Sequence, residues 1–433
     1  MEKFVIQGGA PLAGEIAAAG NKNAALPIMA ACLLTDEELV LSNVPRIRDT
    51  EAQVALLERL GAKAAWTGDN DLRLQADAVI GTEVDEDLAS AIRASFLLAG
   101  PLLARFGEAR MPPPGGDFIG RRRLDAHLDA FRDMGALIRG SRWMQIAAPK
   151  DGLAPCRIFM DEPSVMATEN ALMAASLTEG PTTISNAASE PHVQDLARLL
   201  VQMGAQIDGI GSNVMTVHGR DKLGGAEHTI CPDHIEVASF MALAAATGGE
   251  LRIRDTEPDD LMMIRRQFRR LGLQSMIEGR DVLVPPEQPL EIKVDVGEMT
   301  PKIDDGPWPA FPADLTSIAL ALATQARGEI LIFEKMFENR LFFVDKLVAM
   351  GARITLCDPH RAIVNGPSRL HGERVDSPDI RAGMAMLIAA LAAEGVSEIG
   401  RVEQIDRGYE RIDLRLRELG ARIERVAVEP VPA

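Results

Sequence analysis

Four short segments of this chain place reactive residue types where a fold can use them. In Gly20-Asn21-Lys22-Asn23-Ala24-Ala25-Leu26-Pro27, a lysine and an asparagine stand at a glycine-preceded helix start. Free N–H groups and the positive helix end favour an anion there, and Lys22 adds a full charge. The same residues also read as a capped helix with a solvated lysine, and taken alone that plainer reading stands. The second segment is Pro112-Pro113-Pro114-Gly115-Gly116-Asp117-Phe118-Ile119-Gly120-Arg121-Arg122-Arg123. So many prolines and glycines make a loop of unusual backbone geometry. It presents one carboxylate and then a run of arginines, whose planar forks suit phosphate or carboxylate. A lid over an anion site and a solvated basic turn fit it equally well. In the third, Phe311-Pro312-Ala313-Asp314, the aspartate opens a buried helix. It reads first as an N-cap and second as a general base beside an anion site. The fourth, Ile405-Asp406-Arg407-Gly408-Tyr409-Glu410-Arg411, holds the only tyrosine and an Asp-Arg pair of a usually structural kind. Phe337-Glu338-Asn339-Arg340 and Ile92-Arg93-Ala94-Ser95 carry less when taken singly.

A repeated unit must position these segments. An apolar, Ala-rich helical run is followed by a short strand and then by an amphipathic helix with a glycine stop. The stops are Leu60-Gly61-Ala62, Met134-Gly135-Ala136, Met203-Gly204-Ala205, Leu271-Gly272-Leu273, Met350-Gly351-Ala352 and Leu419-Gly420-Ala421. Their spacing of about seventy residues exceeds the common solenoid periods of roughly 20–50. Each glycine falls where a helix needs a left-handed C-terminal residue, and a strand follows, as in Arg353-Ile354-Thr355-Leu356. Apolar helices are expected to start near Lys22, Ser90, Ser164, His234, Asp314 and Asp379. Runs such as 24–34 and 382–393 are apolar on nearly every side, which marks buried helices. The amphipathic runs, such as 51–60 and 411–419, belong at the surface. The pattern predicts buried helices covered by sheets and outer helices. Phe4-Val5-Ile6-Gln7-Gly8 and Pro11-Leu12-Ala13-Gly14-Glu15-Ile16 read as two leading strands.

At 433 residues the chain exceeds one ordinary core, so six units divide naturally into three per domain. The boundary falls near Cys231-Pro232-Asp233, and the strands ahead of Lys22 are expected to return to the later domain. The expected domains are 22–231, carrying the loop 112–123, and 1–21 joined with 232–433. A composition of 47% hydrophobic and 25% charged residues is that of a globular protein. A net charge of −17 argues against a general nucleic-acid or acidic-membrane surface. Cys32, Cys156, Cys231 and Cys357 lie far apart and read as buried free thiols in a reducing compartment, not as a zinc site or disulfide framework. The seven histidines show no metal-ligand spacing. The start, Met1-Glu2-Lys3-Phe4-Val5-Ile6, lacks the basic and apolar regions of a signal peptide, and apolar runs such as 94–104 are too short to span a bilayer. A cytoplasmic protein is expected.

Taken together, in this order and spacing, the segments resemble the UDP-N-acetylglucosamine enolpyruvyl transferase (UDP-N-acetylglucosamine 1-carboxyvinyltransferase) family. The resemblance covers essentially the whole chain. It includes Lys22-Asn23, Arg93-Ala94-Ser95, the Pro-Gly-Gly loop, Ser164-Val165, Glu190-Pro191, Phe311-Pro312-x-Asp314, Phe337-Glu338-Asn339-Arg340 and Asp406-Arg407-Gly408-Tyr409-Glu410-Arg411. It implies an α/β fold of two inside-out domains, each of three repeated βαβαββ-like units. It implies transfer of the enolpyruvyl group of phosphoenolpyruvate to the 3-hydroxyl of UDP-N-acetylglucosamine with release of phosphate, the first committed step of peptidoglycan synthesis. No cofactor or metal is implied. Lys22, Arg122 and Arg407 match the family's phosphate-holding residues, and Arg93 and Arg340 match other basic positions of its cleft. Asn23 and Asp314 match residues that hold the sugar, with Asp314 as the base for its hydroxyl. Asp125 and Phe337 match positions near the uridine, and Ser164 and Val165 lie at the diphosphate-binding turn. Glu190, Asp379 and Arg381 match further cleft residues.

At Asp117 many members of that family carry cysteine, the general acid that the epoxide fosfomycin alkylates. A carboxylic acid held protonated by a closed loop can deliver the same proton. It is a far poorer nucleophile than a thiolate, so turnover without fosfomycin sensitivity is expected. Three positions depart from the family pattern: Met166 where glycine is usual, Glu162 where some members have lysine, and Val237-Ala238 within Ile235-Glu236-Val237-Ala238, where Thr-Gly is usual. They motivate an alternative, an enolpyruvyl transferase for a different nucleotide or nucleotide sugar. A non-catalytic paralogue that binds a UDP-sugar is the alternative of another class. Lys22, Asp117, Arg122, Asp314 and Arg407 together argue against it, since binding alone does not need both an acid and a base. The shikimate-pathway relative has Ser-Lys-Ser where this chain has Asn21-Lys22-Asn23.

Overall fold

The computed structural model describes residues 2–428. The six predicted glycine stops all adopt the left-handed backbone, with φ from +85° at Gly272 to +112° at Gly204. The chain separates into two units. The first comprises Gly20–Asp117 and Arg122–Cys231; the second comprises the residues up to Ala19, Phe118–Arg121, and the residues from Pro232 onward. The loop expected as one piece over 112–123 is thus shared, with its central residues Phe118–Arg121 grouped in the second unit. Each unit has its own hydrophobic core.

Inside the first unit lie the helices Lys22–Ala30, Ala99–Phe106 and Val165–Ser176; inside the second lie His234–Thr247, Thr316–Ala323 and Ile380–Ala392. These are the Ala-rich runs, and small side chains let them pack closely. From Ile380 to Leu391 every residue is buried. Large side chains such as Leu387 and Ile388 each contribute about 1.5–3 kcal/mol by leaving water. The amphipathic runs form outer helices, for example Arg48–Arg59, Pro191–Gln202 and Ile412–Glu418.

Sheets complete each repeat with one recurring topology. A short strand runs parallel to the strand that follows the buried helix, and an antiparallel hairpin extends the sheet. In the first unit Arg157–Phe159 pairs parallel with Gly180–Ser185, which pairs antiparallel with Val214–Gly219. The three-stranded member has only a parallel bridge, Glu83 to Arg110, where the others have an edge strand. Three sheets recruit strands from far along the chain. Ala226–Thr229 pairs parallel with Glu38–Ser42, which closes the first unit on itself. Gly14–Ala17, two residues shorter and slightly later than the second leading strand expected, pairs with Leu251–Arg254. Glu2–Gln7 sits between Val396–Gly400 and Arg422–Ala427.

The thiols differ from expectation: only Cys32 is buried, Cys156 and Cys231 are half-buried, and Cys357 is exposed. Burial pushes the Cys32 thiol up to about 12, which leaves it inert. Among the described residues no helix is long and apolar enough to cross a membrane.

Candidate active site

The candidate residues fall into two sets, one on each unit. In the first unit they gather at the starts of buried helices. Asn21 caps the Lys22–Ala30 helix, its Oδ1 accepting from the Asn23 and Ala24 amides at 2.8 and 3.1 Å. That cap aims the first turn and leaves the Lys22 ammonium against Asp49, 2.8 Å away on the Arg48–Arg59 helix. Both side chains are nearly buried, so the pair is a built feature and not a surface contact. The expected alternative, a solvated lysine, does not hold. Arg93 opens the 3-10 turn Arg93–Leu98, which packs against both the Lys22–Ala30 and Val165–Ser176 helices. Ser164 caps the latter through the Ala167 amide, and Val165 is its first residue. The Arg93 turn is thus packed between the two helices whose first turns Asn21 and Ser164 cap.

The arginine-rich loop is anchored here by its glycines. A side chain at Gly115 would put its Cβ 1.7 Å from the Ser90 carbonyl oxygen; Gly116 has φ +104° and a Cβ there would lie 2.8 Å from that of Arg93. Glycine alone permits this approach, and it sets Asp117 directly after the Arg93 turn. Arg93 donates from Nη2 to the Arg122 carbonyl at 2.5 Å. Burial first, and then the charge of Arg122, lowers the Arg93 guanidinium to about 10. Arg123 pairs with Asp161 at 2.7 Å and with Glu162 at 3.4 Å. Asp125 is exposed at the start of the Asp125–Asp133 helix. Glu190 stands at the N-cap position of Pro191–Gln202 without capping it. Its charge, after burial, holds Glu169 well above the usual carboxylate range.

In the second unit the set is tighter. Asp314 lies inside the 3-10 turn Ala313–Leu315, whose N-cap residue is Pro312; the N-cap expectation is overturned. Its carboxylate faces two guanidiniums instead. One oxygen binds Arg340 Nη2; the other accepts from Arg381 Nε at 3.0 Å and Nη2 at 2.9 Å. The two arginine side chains are 6% and 5% exposed and the aspartate 26%, so the carboxylate is the part of the cluster that meets solvent. Burial works to lower both guanidiniums, but Asp314 and its neighbours outweigh it and raise them. Behind them, Arg381 Nη1 donates to the buried Tyr409 hydroxyl at 3.2 Å, and Tyr409 bonds Ser239 at 3.1 Å. Asp379 caps the helix that carries Arg381, accepting from the Arg381 and Ala382 amides at 2.8 and 3.0 Å. Phe337 is half-buried, as is Asn23 in the first unit, and the Arg340 guanidinium lies 5.5 Å from the Phe337 ring centre. Arg407 ends the 3-10 turn Val402–Arg407 and donates to Gln404 at 3.2 Å, two residues before Tyr409. Asp406 pairs with Arg425 at 2.7 Å. Among the described residues no cluster of His, Cys, Asp or Glu has the arrangement of a metal site.

A profile of the EPSP synthase (3-phosphoshikimate 1-carboxyvinyltransferase) family matches residues 6–416. The UDP-N-acetylglucosamine 1-carboxyvinyltransferase of Bradyrhizobium diazoefficiens is 57% identical over 424 residues, 98% of each chain. This chain belongs to the UDP-N-acetylglucosamine 1-carboxyvinyltransferase family. The Treponema denticola protein of that name is 54% identical, over 98% of this chain and 99% of its own. Among solved structures, the enolpyruvyl transferase NikO from Streptomyces tendae is similar with a TM-score of 0.87 and 25% identity, covering 99% of both chains. The two-domain inside-out fold is the fold of this family.

The departures from the family pattern have local explanations. Glu162 pairs with the loop residue Arg123 at 3.4 Å. Val237 and Ala238 are buried in the second core, and Glu236 beside them binds Arg415 at 2.5 Å and the Ala19 amide at 2.8 Å. Met166 packs half-buried on the first core. Sequence reading missed Asp49, Ser239 and the role of Tyr409. Tyr409 carried one signal, its uniqueness; Asp49 and Ser239 carried none, because their partners lie far away in the chain.

Proposed function

We propose that this protein transfers the enolpyruvyl group of phosphoenolpyruvate to the 3-hydroxyl of UDP-N-acetylglucosamine, releasing phosphate, in the cytoplasm. The observation that carries the proposal is the identity of 57% and 54%, over nearly the full chain, to proteins named for that activity. The geometry of each unit supports it. Asp314 accepts the proton of the sugar hydroxyl while Arg340 and Arg381 hold its carboxylate in place. The hydroxyl oxygen bonds to C2 of phosphoenolpyruvate as Asp117 gives a proton to C3. The resulting tetrahedral ketal loses a proton from C3 and expels phosphate, restoring the double bond. Lys22, Arg93, Arg122 and Arg407 neutralise the phosphate and carboxylate as charge redistributes. Asn23 holds the sugar, Ser164 and Val165 the diphosphate, and Asp125 and Phe337 the uridine. Glu190 and Asp379 position these groups.

The test is phosphate release from phosphoenolpyruvate with and without UDP-N-acetylglucosamine, beside a panel of other UDP-sugars. Release that depends on UDP-N-acetylglucosamine is expected. Release with another acceptor only would relocate the substrate, and none with any acceptor would leave a binding protein.

A further inference from the structure

The second unit holds a buried pair of carboxyl groups that the proposed reaction does not use. Glu334 follows the strand Gly328–Phe333 and is fully buried. Asp305 follows the parallel strand Lys302–Asp304 and is 2% exposed. Each commits one oxygen to the segment that begins at Lys335. Glu334 Oε1 accepts from the Met336 and Phe337 amides at 3.3 and 3.1 Å, and Asp305 Oδ1 from the Lys335 amide at 2.5 Å. The remaining oxygens, Glu334 Oε2 and Asp305 Oδ2, are buried and accept from no N–H or O–H group. The buried Thr316 hydroxyl likewise has no hydrogen-bond partner. The two residues are neighbours across the parallel ladder: Asp304 pairs with Phe333, and the Asp305 amide donates to the Phe333 carbonyl at 3.3 Å.

Two carboxylate oxygens cannot bond without a proton between them, and two negative charges cannot share so dry a site. We propose that Asp305 and Glu334 hold one proton between them, and that this proton fixes segment 335–340 so that Arg340 is presented to Asp314. Burial first, and then the charge of Asp305, pushes Glu334 up to about 8. The surrounding charges agree. Lys335 is held by Asp304 on the neighbouring strand, which Lys302 also binds at 3.0 Å. His360 donates from Nδ1 to the Glu334 backbone carbonyl at 2.7 Å, leaving the carboxyl pair to itself. Arg340 is a cation whose charge acts on Glu334, and it is shared with Asp314 and Asp379. Glu334 and Asp305 are thus positioning residues, and the inference rests on the proposed role of Asp314.

Glu334→Gln tests it. The amide keeps an oxygen for the Met336 and Phe337 amides and offers Asp305 a permanent N–H in place of the shared proton. At neutral pH the variant should keep at least about half of wild-type phosphate release, and its alkaline fall in kcat should move up by about one pH unit or more. Glu334→Ala should lose about 10-fold or more in kcat with little change in KM for phosphoenolpyruvate. An E334Q profile that falls together with wild type, or an alanine variant at wild-type kcat, would overturn the proposal. Melting temperature reads the proton without reference to activity. A glutamate raised on folding contributes stability that is complete below its unfolded value of about 4.3 and is lost as pH rises through about 8. Wild type should therefore lose melting temperature relative to E334Q across that window, and a difference constant with pH would refute the shared proton. Absence of phosphate release in both proteins at every pH would count against the proposed reaction, and the melting profile would still decide on the pair.

Discussion

Asp49→Asn isolates what holds Lys22 in place. The ammonium and carboxylate are 2.8 Å apart, with side chains only 10% and 5% exposed. At that distance and an effective dielectric of about 20 their attraction is about 6 kcal/mol, a gross figure that desolvation offsets. Removing one partner of a buried pair costs about 3–5 kcal/mol, because the other charge is left uncompensated. The residual exposure and the amide oxygen that Asn retains place the expected loss near the lower end, about 3 kcal/mol. Urea unfolding should be followed by fluorescence in a Trp308→Phe background. The remaining tryptophans, Trp66 and Trp143, both lie in the unit that holds Lys22, so the signal reports that unit. Lys22→Met and the double variant complete the cycle, with an expected coupling of about 2–3 kcal/mol. Phosphoenolpyruvate should stabilise D49N more than wild type, since its phosphate becomes the missing counter-ion. A coupling below about 0.5 kcal/mol, the worth of an exposed pair, would refute the argument.

Arg122→Ala and Arg407→Ala should each slow phosphate release by roughly 100-fold or more, the scale of lost transition-state charge stabilisation; near-normal turnover in either removes it from the site. Asp117→Cys should make the enzyme lose activity irreversibly with fosfomycin, while the natural protein keeps turning over at the same concentration; rapid inactivation of the natural protein would contradict the assignment of Asp117. Burial, and then the charge of Arg93, lowers His127 to about 3, and Asn170 donates to its Nδ1 at 2.9 Å. The unfolded chain therefore binds the extra proton first, and stability should fall as pH drops from about 6.5 towards 3; His127→Phe should flatten that slope, and an unchanged slope would place the titrating group elsewhere.

The architecture was legible because it rests on local physics. A glycine forced to positive φ after an amphipathic helix, and an Ala-rich run apolar all round, are properties of a few consecutive residues. Gly61 and Gly420 fulfil them although more than three hundred positions apart. The site was legible only in part. Gly115 and Gly116 showed a tight turn, and the structure brings them against Ser90 and Arg93. Asp314 misled, since an acidic residue at a helix start is locally a cap, and only two arginines from distant segments reveal its other engagement. Asp49, Asp305 and Glu334 were silent for the same reason. Each acts through a partner or loop that sequence proximity does not mark.

The strand Glu2–Gln7 is the inner strand of a sheet whose other members are made at the far end of the chain. At about 5–20 residues per second, a ribosome delivers Val396–Gly400 roughly 20–80 s after that strand has left the tunnel. The first unit, which closes when Ala226–Thr229 meets Glu38–Ser42, can be finished in the meantime. The opening strand waits with both of its edges unsatisfied, an invitation to wrong pairing that a growing chain must survive. Nascent chains arrested shortly before residue 396 would therefore hold a completed first unit beside a strand still open to chaperones and proteases.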